Sequence, residues 1–95
     1  MTILDDIATR IIKEQELVIG PMAWDEAQKV SGLDIVSKQT GEVHISAADP
    51  KSAVDQLVGR FERLFGRASQ EVCKEVAAPF LASLSPGEIP ASLTA

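Results

Sequence analysis

Between residues 50 and 84, apolar side chains recur at helical spacing in two successive runs. Val54, Leu57, Val58, Phe61, Leu64 and Phe65 form one stripe, and Val72, Cys73, Val76, Ala77, Phe80, Leu81 and Leu84 form a second. Leu64-Phe65-Gly66-Arg67 separates them, with a glycine where a helix would end, so the segment predicts a helical hairpin. Its first helix opens at Asp49-Pro50, a capping carboxylate followed by the one residue that needs no amide donor in a first turn, and runs to Phe65. The second runs from Ala68 or Ser69 to Leu84, with Pro79 placed to kink it or end it early.

Upstream, Ile3, Leu4, Ile7, Ala8, Ile11 and Ile12 share one face of a helix from Thr2 to Val18. Thr2 is the cap, Asp5 and Asp6 sit in the dipole-favoured first turn, and Asp6 is spaced to pair with Arg10. Gly20-Pro21 stops this helix, and Pro21 opens a short second one to Ser31, with Asp25 spaced to pair with Lys29. Ala23, Ala27 and Val30 give that helix a narrow face of small residues. Ile35-Val36 and Val43-His44-Ile45 are β-prone and flank Lys38-Gln39-Thr40-Gly41-Glu42, which predicts a hairpin. Two strands are marginal alone, so this hairpin has to pack on the helices or pair with another chain. The expected fold is α+β and mostly helical, in the order helix–helix–β-hairpin–helix–helix. It forms a single small domain over 1–84, and the Pro- and Gly-containing tail 85–95 reads as disordered.

Composition narrows the function classes. Ninety-five residues suffice for one domain with a modest core, and 45% hydrophobic content is that of a globular chain. A net charge of −5 opposes a sequence-independent grip on nucleic acid, and the four aromatic residues Trp24, Phe61, Phe65 and Phe80 offer little base stacking. The single cysteine, Cys73, permits no internal disulfide. No secretory or membrane-spanning pattern is evident, and the expected location is the cytoplasm.

No catalytic constellation is visible. Cys73 lies in an apolar stripe beside Glu71 and Glu75, surroundings that disfavour a thiolate, and reads as a buried structural thiol. His44 alternates with Val43 and Ile45, which points it to solvent, and one His with one distant Cys makes no metal site. Glu14 with Glu16, and Asp25 with Glu26, read as solvated charge. No glycine pattern matches a phosphate loop or dinucleotide fingerprint, so no metal or cofactor is expected. Arg60, Arg63 and Arg67 fall at i, i+3 and i+7, opposite the apolar stripe of their helix. They form either a solvated face or a docking stripe for an acidic surface or phosphate. Trp24 falls off the Ala23–Ala27–Val30 face and reads as a core residue or an interface anchor.

Gln15-Glu16-Leu17-Val18-Ile19-Gly20-Pro21-Met22-Ala23, then Val30-Ser31-Gly32-Leu33 and Leu64-Phe65-Gly66-Arg67-Ala68, form a helix, a break, a short helix and a paired helical end. Over residues 11–84 this pattern resembles the small helical domains of bacterial signalling proteins that accompany Roadblock/LC7-type proteins. The resemblance implies a non-catalytic regulatory or scaffolding module, with no catalytic residue to carry over. The sequence therefore leads to an adaptor that binds another protein, as a homodimer, through Trp24, Arg60, Arg63, Arg67, Phe65, Phe80 and Leu84. The alternative is a small repressor- or antitoxin-type regulator whose three arginines contact phosphates. The deciding question is whether Phe61, Phe65, Phe80 and Leu84 are all covered within one chain.

Overall fold

A computed structural model describes residues 3–37, 41–46 and 48–93. The elements are α1 (Ile3–Ile19), α2 (Met22–Ala27), β1 (Leu33–Ser37), β2 (Glu42–Ile45), α3 (Pro50–Phe65) and α4 (Arg67–Leu81), then 3-10 turns at Pro86–Glu88 and Ala91–Leu93. This is the predicted order of four helices and one hairpin. Thr2 and the connector residues 38–40 lie outside the described residues.

Three helices make the frame. Gln15 of α1 lies beside Ser69 and Cys73 of α4, Arg10 and Glu14 beside Val76 and Phe80, and Leu4 beside Leu84. The two helices therefore run antiparallel. α3 packs on both, with Pro50 near Leu4 and Phe65 near Val18. Ile7, Ala8, Ile11 and Ile12 of α1, Val54, Leu57, Val58 and Phe61 of α3, and Cys73 and Ala77 of α4 fill the space between them. The second predicted stripe is thus only partly core: Val72, Val76, Phe80, Leu81 and Leu84 are half-buried at its margin.

Asp49 caps α3 by accepting from Lys51 N at 3.2 Å, and Pro50 takes the first position. At the far end Gly66 turns the chain directly into α4 with φ 92° and ψ −177°, a region essentially confined to glycine. Gly20, at φ 81°, likewise ends α1. α4 runs through Pro79 and stops at Leu81, where Ser83 N to Phe80 O and Leu84 N to Leu81 O close it in i→i+3 bonds.

Four local expectations change. α2 is a six-residue helix, not an eleven-residue one. Its end tightens into i→i+3 bonds, Lys29 N to Glu26 O and Val30 N to Ala27 O, which swing Val30 into the core. Arg10 reaches forward to Glu14 at 3.6 Å, not back to Asp6. Lys29 pairs with Glu26 at 3.0 Å. The stretch from Ser85 is placed against the helices and not left as a free tail. Ser85 and Glu88 form a capping box, Lys51 Nζ donates to Gly87 O at 2.7 Å, and Ser92 N and Oγ donate to Asp55 Oδ1 at 3.0 and 2.6 Å. Pro90 and Leu93 are buried against this support, so a segment polar in composition still carries its own apolar anchors.

The hairpin is antiparallel, pairing Leu33 with Ile45 and Ile35 with Val43, with a register shift between Ile35 and Ser37. Leu33, Val43 and Ile45 bury their side chains, and β2 lies on α1. There the buried Asp5 carboxylate accepts the Ile45 amide at 2.9 Å, and His44 Nδ1 stands 3.5 Å from its other oxygen.

Two outcomes follow. Gly66→Ala lowers stability by about 1–3 kcal/mol, the range for strained backbone at one residue, read from the urea midpoint by circular dichroism. Asp5→Ala leaves the Ile45 amide without its acceptor and lowers stability by about 1–3 kcal/mol in the same assay.

Candidate partner-binding surface

The predicted site residues do not form one surface. Trp24 is only 3% exposed, because the short α2 packs against α1, α3 and β1 with this side chain on its inner face. It belongs to the core and is unavailable as an interface anchor. Phe61 is fully buried. Phe65, Phe80 and Leu84 are half-buried and lie in three separate depressions. Phe65 is at the α3–α4 corner, Phe80 in a groove against α1, and Leu84 at the opposite end beside Ile3 and Pro50.

The arginine stripe is also broken. Gly66 places Arg67 on α4, off the face of α3 that carries Arg60 and Arg63. Arg60 donates through Nε and Nη2 to Glu26 Oε1 at 3.2 and 2.9 Å, and Lys29 holds Glu26 Oε2 at 3.0 Å. Glu26, read from sequence as solvated, is therefore the partner of two cations. Hydrogen bonding first from Lys29 and then from Arg60 holds its carboxyl below the ordinary range. The signal for this pair was absent from local spacing because Glu26 and Arg60 stand 34 residues apart. Arg63 and Arg67 are exposed.

What the fold does gather is exposed apolar surface at the end where α1 stops and α3 turns into α4. Five large hydrophobic residues are well exposed, and four of them, Leu17 (79%), Val18 (72%), Met22 (47%) and Leu64 (46%), belong to this end. Val18, Ile19, Phe65, Ala68 and Val72 ring a recess of about 100 Å³ there, smaller than the ~150 Å³ cavity that admits benzene and suited to one aliphatic side chain. Gln15 and Ser69 supply its polar lining. The Ser69 hydroxyl is buried without a partner among the described residues, while Gln15 Nε2 donates to Ser69 O at 3.1 Å. Leu17, Val18 and Met22 escaped the sequence reading because they flank the Gly20-Pro21 break, beyond the periodic core face of α1. Their clustering with Leu64 depends on α1 and α3 ending at the same level.

Cys73 is buried, as its place in the stripe predicts, and Gln15 Nε2 approaches its sulfur at 3.6 Å. Burial pushes the thiol up to about 11. His44 is exposed. Among the described residues no group of three or more His, Cys, Asp or Glu side chains is arranged to hold a metal ion, and no helix is long and apolar enough to cross a membrane. Comparison of the chain with protein-family models, with curated proteins and with solved structures returned no match.

The buried thiol carries a pH signature. Its folded value is raised from 9.0 to about 11, so its contribution is intact below pH 9 and is lost as pH rises towards 11. The loss amounts to about 2–3 kcal/mol, from two units at about 1.4 kcal/mol each. Urea midpoints measured from pH 8 to 11 fall more steeply for the parent chain than for Cys73→Ala.

Proposed function

We propose that this protein is a non-catalytic cytoplasmic module that acts by protein–protein contact, and that the apolar end of the three-helix frame is its contact surface in a homodimer. The observation that carries this reading is that four well-exposed apolar residues, Leu17, Val18, Met22 and Leu64, lie at the end of the frame where Val18 and Phe65 line an apolar recess. Water-exposed aliphatic side chains scattered singly need no explanation. Several at one end of a frame, beside a side-chain-sized apolar depression, have the composition of an interface core. Arg67, exposed just beyond Leu64-Phe65-Gly66, supplies a polar margin of the kind such an interface has. The outer edge of β1, which has no further strand beside it among the described residues and exposes Val36, offers a second contact to a neighbouring chain. A regulatory or scaffolding role is also what the sequence pattern at residues 11–84 implies. The repressor-type alternative draws no comparable support, because its three arginines do not share a face.

The expected result is a dimer by size-exclusion chromatography with light scattering at tens of micromolar. The Val18→Glu, Leu64→Glu double variant elutes as a monomer with an unchanged far-ultraviolet spectrum, since both side chains project from helix ends into solvent. A parent chain that is strictly monomeric at that concentration, or a variant that dimerises equally well, overturns the assignment.

A further inference from the structure

A cleft of about 360 Å³ opens on the other side of α3, between that helix and the turn after α2. Gln56, Gly59, Arg60 and Arg63 line it from α3, and Lys29 and Val30 line it from the turn. Three of the nine Lys and Arg residues of an acidic chain therefore meet at one cleft, with no carboxylate among its lining residues. Glu26 lies behind them and engages only part of their hydrogen-bonding capacity. Arg60 spends two of its five N–H groups and Lys29 one of its three. Arg63 makes no ion pair among the described residues. Lys29, Arg60 and Arg63 together with Glu26 carry a net charge of +2.

Gly59 is a second and independent indication. It sits in the middle of α3, where glycine weakens a helix relative to alanine, yet a methyl group built on it would meet nothing within 4 Å. Packing within the chain does not call for glycine here. A bare helix surface flanked by Gln56, Arg60 and Arg63 lets a ligand approach the backbone closely.

We propose that this cleft binds a phosphomonoester group. Such a group carries about −1.5 to −2 charge at neutral pH, which matches that net charge, whereas a single carboxylate would leave part of it uncompensated. Its three oxygens accept from the fork of Arg63, the free N–H groups of Arg60 and the Lys29 ammonium, the arrangement in which arginine recognises phosphate best. The volume leaves room for the body that bears the phosphate, either a small phosphorylated metabolite or a phosphorylated side chain of another protein. This site is separate from the apolar end and stands whether or not that end dimerises.

The test is titration followed by amide chemical shifts at low salt, using inorganic phosphate, phenyl phosphate, and a phosphoserine peptide with its unphosphorylated twin. Acetate serves as the carboxylate control. Saturable shifts at Lys29, Gly59, Arg60 and Arg63 are expected for the phosphate-bearing probes and not for acetate or the unphosphorylated peptide. Arg63→Gln, which removes no hydrogen bond or ion pair among the described residues, weakens binding at least tenfold. Gly59→Ala also weakens it while raising the melting temperature, an opposition that a purely structural role for Gly59 does not produce. Tighter binding of the phosphopeptide than of phenyl phosphate identifies a protein-borne phosphate, and the reverse order identifies a small molecule. Absence of saturable shifts at millimolar phosphate, or Arg63→Gln binding as the parent does, overturns the proposal.

Discussion

The antiparallel seating of α1 on α4 is the constraint on which the other elements depend. It joins segments more than fifty residues apart, and a buried polar side chain of α1 fixes it, while a second ties the same helix to the hairpin. Gln15 donates to the Ser69 carbonyl of α4, and Asp5 accepts the Ile45 amide of β2. Apolar contacts alone would permit α1 to slide or rotate along its neighbours, since burial is non-directional. Hydrogen bonds made in the absence of water do not tolerate that freedom, because a displaced partner is left unsatisfied. The hairpin, too short to stand by itself, gains its place from the Asp5 end. The recess at Phe65 gains its walls from the Gln15 end, because Val18 and Ile19 reach α4 only in this register.

Much of this architecture was legible in the chain. The α1 face, the Asp49-Pro50 start, the Gly66 corner and the β-prone runs each carry a local physical cause, and each produces the expected element. What sequence reasoning misjudged depends on distance. Trp24 looks half-free from its own helix but is enclosed because it lies on the inner face of a six-residue helix packed against α1, α3 and β1. Arg60 looks like part of a solvent-facing stripe until the fold delivers Glu26 to it. The tail 85–95 reads as disordered from its prolines, while among its described residues Leu93 is buried and Ser92 is bonded to Asp55 of α3. The exposed apolar end is a further case, since no periodicity marks residues that matter only because three helix ends converge.

The two surfaces make different demands on the same helix. The inner face of α3 supplies Val54, Leu57, Val58 and Phe61 to the core, its last turn supplies Leu64 and Phe65 to the apolar end, and its outer face supplies Gly59, Arg60 and Arg63 to the cleft. Arg63 and Leu64 are adjacent in sequence, so occupancy of the cleft and engagement of the apolar end act on consecutive residues of one rigid element. A 16-residue helix capped at Asp49 and ended by glycine at Gly66 is short and well-bounded enough to hold both sets in fixed relation.

Cys73 gives the molecule a built-in clock. It is the chain's single thiol, fully enclosed where α1 meets α4, and it remains protonated far above neutral pH. A thiol reagent reaches it only while α1 and α4 are apart, so the rate of labelling counts openings of that one interface. When reclosing is fast, the dependence of this rate on denaturant separates local parting of the two helices from global unfolding at this one site. A chain with a second cysteine, or with this one at the surface, would blur that count.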